Sequence, residues 1–220
     1  MGEDERQAHH RNRDGRRAAP VLNVADTYHT IASAADAVFK EKMSKFLAFA
    51  RHVESAAEAK AVVAEMQKKY FDARHVCWAY MLGADRSQFM SNDNGEPSGT
   101  AGKPILGQIN SLELTDVIVV VVRYFGGIKL GTSGLIAAYR QAARLALEEA
   151  GRLECHAMET VEFSFPYIAM NGVMKAVKTS GAQITSQTFD NLCSMTLSIR
   201  ADDAGRLHSM LADVEGLCFS

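Results

Sequence analysis

Positions 117–122 read VIVVVV, six β-branched apolar residues in succession, and the run stops at Arg123. Such a run predicts a strand over 116–125 that is covered on both faces. The other apolar positions fall into shorter patterns. Residues 37–42 and 46–53 read as strands flanking the tight polar link Met43-Ser44-Lys45. Residues 55–70 place Ala59, Val62, Val63, Met66 and Tyr70 on one helical stripe. Ser55 stands as its N-cap, with Glu58 three residues on as a capping box. Residues 75–83 predict a strand ending at glycine, and 86–93 a neighbour that pairs with it before the turn NDNGEP. Residues 98–113 predict a short helix started by Ser98 or Thr100. Residues 131–151 predict a long helix with Leu135, Ala138, Ala142, Leu145 and Ala146 inward and Gly151 as its stop.

Beyond Gly151 the pattern changes. Residues 160–167 alternate as a strand, 169–181 form a short helix closed by Gly181, and 182–191 return to a strand. Residues 192–201 alternate again across the Asp190-Asn191 turn, 202–216 form a helix from an Asp cap, and 217–220 end as a strand. That order is β-α-β-β-α-β, the ferredoxin-like arrangement. The chain therefore reads as an α+β protein with a larger domain at 21–152 and a smaller one at 153–220. Residues 1–20 hold almost no large apolar side chain and read as a disordered leader, since they cannot bury enough surface to offset their ordering entropy.

The formal charge of −2 conceals an uneven distribution. Residues 1–20 carry five Arg against four acids, 21–152 carry fifteen Lys and Arg against fourteen acids, and 153–220 carry four against eight. A dedicated duplex-DNA binder is clearly basic, so any nucleic-acid role rests on a local patch. No stretch reaches the roughly 18 uninterrupted apolar residues of a membrane span. The charged start lacks an apolar signal core, and a cytoplasmic location is expected. Cys77, Cys155, Cys193 and Cys218 are far apart with no C-x-x-C pair, and no H-x-x-x-H spacing occurs. Neither a metal nor another cofactor is expected.

Three segments, two of them polar and glycine-rich, hold the candidate chemistry. One is ARHVCWAY, with His75 at the head of a strand. The second is SNDNGEPSGTAGKP (91–104), with Asp93, Glu96, Ser98, Thr100 and Lys103. The third is RYFGGIKLGTSG (123–134). It leads a strand through Gly126, Gly127 and Gly131 into the start of a helix, where backbone N–H groups and the helix dipole favour an anion. Arg123 and Lys129 could add charge-assisted bonds there, and Tyr124 and Phe125 could stack on a base. It lacks the spacing of a Walker loop and of a dinucleotide fingerprint. Each element also has a plain structural reading. The glycines serve turns, Arg123 pairs with Glu96 or Asp93, the aromatics fill the core, and His75 is a hydrogen-bonded structural residue. No nucleophile elbow or H-E-x-x-H occurs, so no catalytic residue is assigned.

SNDNGEPSGTAGKPIL and DVIVVVVRYFGGIKLGTSGLIAAYRQAA together resemble the signature of the YigZ/Impact family, and KMSKFLAFA and ARHVCWAY follow its order of motifs. The resemblance covers roughly residues 26–151, and 160–220 resemble the smaller domain of the bacterial branch. It implies a larger domain similar to the second domain of a small-subunit ribosomal protein and to domain IV of elongation factor G. The smaller domain would be similar to domain V of that factor. The eukaryotic relative is associated with translational control through a protein partner. The family's shared polar set falls on His75, Asp93, Glu96, Thr100, Lys103, Arg123, Gly126, Gly127, Lys129 and Gly131. Relatives commonly show His-Asn where this chain has His75-Val76. The expectation is a non-enzymatic protein of the translation machinery that binds RNA or a ribosomal surface. The alternative is a small-molecule or phosphate-ligand enzyme using His75, Asp93 and Glu96.

Overall fold

The computed structural model describes residues 27–190 and 192–220, so the leader expected at 1–20 lies outside the described residues. The first part of the chain forms β1 (Thr27–Ile31), β2 (Ala35–Glu41), β3 (Ser44–His52), α1 (Ala56–Lys69), β4 (His75–Leu82), β5 (Gln88–Asn92), α2 (Gly102–Ser111), β6 (Val117–Tyr124) and α3 (Gly131–Ala150). β7 (Arg152–His156), β8 (Met158–Pro166), α4 (Met170–Ser180), β9 (Gln183–Thr188), β10 (Leu192–Arg200), α5 (Ala201–Ala212) and β11 (Cys218–Phe219) follow.

β6 is the middle strand of a five-stranded sheet ordered β2-β3-β6-β4-β5. Successive side chains of a strand point to opposite faces, and here the two sets enter different cores. Val117, Val119 and Val121 pack with Ile105 and Ile109 of α2 and Tyr139 and Ala142 of α3. Ile118, Val120 and Val122 pack with Ala59, Val63 and Met66 of α1. Burying each such side chain contributes roughly 1.5–3 kcal/mol, so the run is held from both sides. Double burial usually accompanies parallel strands. In this sheet every neighbour is antiparallel, and the helices on both faces come from the long connections between strands.

Local signals act as the residue pattern predicts at several ends. Ser55 Oγ accepts from the N–H of Glu58, while Glu58 Oε2 reaches back to the N–H of Glu54 rather than that of Ser55. The link between β2 and β3 turns at Lys42 and Met43, both at positive φ. α3 buries a wider stripe than expected. Tyr139, Ala143, Leu147 and Ala150 join Leu135, Ala138, Ala142 and Ala146, and Leu145 is only half-buried. The reason is that α3 packs against both the β2–β3 half of the sheet and α2.

The second sheet has the order β11-β8-β10-β9, with every neighbour antiparallel. Phe163, Phe165, Met195 and Leu197 form its own core with Val173 and Val177 of α4 and Leu207 and Leu211 of α5. Gly181 closes α4 in the left-handed conformation. α5 does not start from an Asp cap. Arg200 holds that place with no side-chain bond to the helix start, and Asp202 and Asp203 sit in the first turn, where the helix dipole favours them. β7 pairs with β1, so residues 152–156 are tied back to the first strand of the described chain. Among the described residues no helix is long and apolar enough to cross a membrane.

Candidate functional site

Antiparallel pairing places His75 opposite Arg123 and Lys45 opposite Tyr124. The loops at 42–43, 70–74, 93–101 and 125–130 therefore gather at one end of the five-stranded sheet, where α2 and α3 also begin. Two polar centres organise this end, and they divide the candidate residues between them.

The first is buried. Arg123 Nη1 donates to Glu96 Oε1 at 2.7 Å, with the two side chains only 7% and 3% exposed. Tyr139 Oη donates to the same carboxylate oxygen at 2.8 Å. Cys77 Sγ donates towards Tyr139 Oη and the carbonyl of Asp93. Burial pushes the Cys77 thiol up to about 12, so it stays protonated, and burial likewise raises the Tyr139 hydroxyl. The Arg123 guanidinium lies between the rings of Phe46 and Phe125, 5.6 and 5.5 Å from their centroids. Arg123 is thus the ion-pair partner of Glu96.

The second centre is Asp93. Its Oδ2 accepts from the N–H of Gly99, and its Oδ1 accepts from those of Ala101 and Gly102. Those groups form the start of α2, whose N-cap position, Ala101, makes no side-chain bond. The helix expected to start from Ser98 or Thr100 is instead capped from nine residues upstream. Burial would raise the Asp93 carboxyl, but the three N–H donors and Lys103 outweigh it and hold it below the ordinary value. Thr100 is buried, and its hydroxyl donates to the carbonyl of Pro97.

Tyr124 and Phe125 do not form one stacking platform. Tyr124 turns to the α1 face and donates to Asp72 Oδ1 at 2.8 Å, and that bond raises its pKa. Phe125 lies over Arg123 on the opposite face. Gly126 is fixed by crowding, since a Cβ there would fall 2.0 Å from the carbonyl carbon of Met43. Gly131 has φ +72 with open space around it, so its backbone conformation is the reason for glycine.

Between these centres and the start of α3 lies a cavity of about 380 Å³. His75, Glu96, Arg123, Phe125, Lys129 and Gly131 line it, together with Arg74, Pro97, Leu130, Thr132 and Leu135. Asp93, Thr100, Lys103, Tyr124, Gly126 and Gly127 do not. His75 Nδ1 donates to the carbonyl of Asn94 at 3.0 Å. The α3 N-cap position, Leu130, has no side-chain hydrogen bond, and no acid stands in the first turn. Arg74 and Pro97 lie inside the segments ARHVCWAY and SNDNGEPSGTAGKP without being singled out by them, and the pairing of His75 with Arg123 carries Arg74, directly before His75, to the same end.

Residues 42–147 match the Impact N-terminal domain. An Impact family member of Haemophilus influenzae is 43% identical over 115 residues, which are 50% of this chain and 56% of that protein. The Impact family member YigZ of Escherichia coli is 31% identical over 174 residues, 78% of this chain and 85% of its own length. The chain belongs to the Impact family. A crystal structure described as that of a hypothetical protein superposes with a TM-score of 0.69 at 29% identity, covering 88% of this chain and 96% of its own. Every residue lining the cavity lies inside the segment that matches the Impact domain.

The near-neutral charge of the larger unit, residues 27–152, resolves into two opposite ends. At the end holding the cavity stand Lys40, Lys42, Lys45, Lys68, Lys69, Arg74, Lys103, Arg123 and Lys129, against Glu41, Glu65, Asp72, Asp93 and Glu96. At the other end stand Asp36, Glu54, Glu58, Asp85, Glu113, Asp116, Glu148 and Glu149, against Arg51, Lys60, Arg86, Arg144 and Arg152. Strands that run alternately up and down scatter these groups along the chain and gather them in space. Among the described residues no group of three or more His, Cys, Asp or Glu could hold a metal.

Proposed function

We propose that this Impact-family protein is a non-enzymatic, cytoplasmic binding protein of the translation machinery that engages RNA or a ribosomal surface with the basic end of its larger sheet. The carrying observation is the convergence of an uncapped helix start, Lys129 and Arg74 on one cavity walled by Phe125. Orphan N–H groups at a helix start and two cations favour a phosphate, and Glu96 does not repel it because Arg123 neutralises it. In this reading the larger unit is similar to domain IV of elongation factor G and to the second domain of a small-subunit ribosomal protein. The β8–β11 unit is the ferredoxin-like, domain-V-like partner, and its acidic balance suits a protein contact better than RNA. The association of the eukaryotic relative with translational control supports the same context.

The test is a salt series on single-stranded RNA with wild type and an Arg74→Ala, Lys129→Ala double variant. Wild-type affinity should fall with salt, and the variant should flatten the slope by about 0.7 per phosphate contact removed. Equal binding and equal slopes would sink the reading. A small phosphate-ligand enzyme is the second reading, because His75 and Glu96 line the same cavity and its volume falls in the range of small-ligand sites. Asp93 has no part in it, being occupied as the cap of α2. A thermal shift produced by nucleoside monophosphates, absent in the double variant, with no binding of longer RNA, would favour that reading instead.

A further inference from the structure

Large apolar side chains are exposed at the same end of the sheet, on separate loops. Phe71, after α1, is 85% exposed, and Met43, in the β2–β3 turn, is 78% exposed. Phe125 and Ile128, in the loop before α3, are 53% and 51% exposed. These loops are tied together. The Tyr124–Asp72 hydrogen bond joins the immediate neighbours of Phe125 and Phe71. Gly126 packs directly on the backbone of Met43 and donates its N–H to Ser44 Oγ at 3.3 Å. Exposed apolar side chains gathered in this way mark an interaction surface, and here the lysines of the basic end surround them.

Resting on the RNA reading above, we propose that Met43, Phe71, Phe125 and Ile128 form an apolar tip that takes unpaired nucleotides and excludes continuous duplex. The surrounding charge selects a polyanion. The side chains inside it need a partner that also offers flat apolar faces. A regular duplex stacks its bases away and shows phosphate, which Lys and Arg alone would satisfy. Unpaired RNA shows phosphates and base faces together, and aromatic side chains are the usual platform for them. The cavity beside Phe125 has mainly apolar walls over a floor formed by the Glu96–Arg123 ion pair. That floor suits a nucleotide better than the acyl chain of an anionic lipid, the other partner with a charged head and an apolar body.

The experiment uses the full chain and three probes at one salt concentration: a 12-nucleotide mixed-sequence RNA strand, the same sequence as a blunt duplex, and phosphatidylserine-containing vesicles. Wild type should bind the single strand at least tenfold more tightly than the duplex. It should also quench a 2-aminopurine placed in the strand. A Phe71→Ala, Phe125→Ala double variant should lose the quenching and about tenfold in affinity per stacked base, with its salt slope unchanged because no cation is removed. Both rings are exposed, so an unchanged thermal midpoint would show that the variant folds. If the strand and duplex bind equally with the salt slope intact, or the double variant matches wild type on the strand, this inference fails and the RNA reading stands. If wild type binds no RNA, both fail. Capture by vesicles with no preference among RNAs assigns the tip to a membrane surface and overturns the proposal.

Discussion

Two helices begin at the same end of the five-stranded sheet, and their starts are filled differently. The start of α2 is closed by the chain's own carboxylate, since Asp93 takes the N–H groups of Gly99, Ala101 and Gly102. The start of α3 has no side-chain cap and opens on a cavity with Arg74 and Lys129. One fold thus disposes of the same orphan donors in two ways. A helix start answered from within is part of the architecture. One left open beside two cations has room for an anion from outside, and Asp93 shows the chemistry such a guest would offer.

The floor under both starts gives the largest effect. Glu96→Ala leaves Arg123 buried without its partner, and removing one member of a buried pair destabilises by about 3–5 kcal/mol. Urea unfolding would measure it. A loss under about 1 kcal/mol would mean that the pair does not hold the two starts in register. An Arg123 variant is expected to suffer similarly, so it cannot report on binding. Arg74 and Lys129 can, because neither is an ion-pair partner in this floor.

Emptying the closed start is a smaller step. Asp93→Ala should destabilise by about 0.5–2 kcal/mol, the range for losing a helix cap. Its pH dependence has a definite sign. The folded carboxyl lies below its ordinary value, so its contribution is full above the unfolded value of about 3.9. It is lost as pH falls through the lower folded value. The gap in thermal midpoint between wild type and Asp93→Asn should therefore be constant near neutrality and close in strong acid. A gap that widens in acid would contradict the assignment of Asp93 as an ionised cap.

Filling the open start is the gentlest change. Thr132 lies exposed in the first turn of α3 and lines the cavity. Thr132→Asp should stabilise the fold by about 0.3–1 kcal/mol through the helix dipole while weakening phosphate binding. A calorimetric melt paired with an RNA titration at low salt reads both. If stability rises and binding is unaffected, the open start is not the anion site.

What a residue pattern reveals depends on how far its partner lies along the chain. The run at 117–122, the Ser55 cap and the closing glycines 151 and 181 are set by neighbours within one or two turns, and they were legible. Glu96 and Arg123 are 27 positions apart, and the chain alone offered Glu96 and Asp93 as equal partners for the arginine. Only the sheet decides, by placing Glu96 beside Tyr139 and turning Asp93 towards α2. Tyr124 and Phe125 look equivalent in a string of letters, yet adjacent residues at a strand end face opposite sides. Phe71 and Arg74 belong to no glycine-rich segment. Their importance arises from antiparallel pairing, which carries the residues before His75 to those after Arg123.

The pairing of β1 with β7 bears on the order in which the protein can be made. Its strands are separated by roughly 120 residues, and closing so long a loop is less favourable than closing a ten-residue hairpin by about 2 kcal/mol. On a growing chain the partner of Thr27–Ile31 does not exist until Arg152–His156 has been synthesised. The five-stranded sheet and its helices can assemble before that moment. The ribbon then acts as a late clasp, drawn shut as the second sheet begins to emerge.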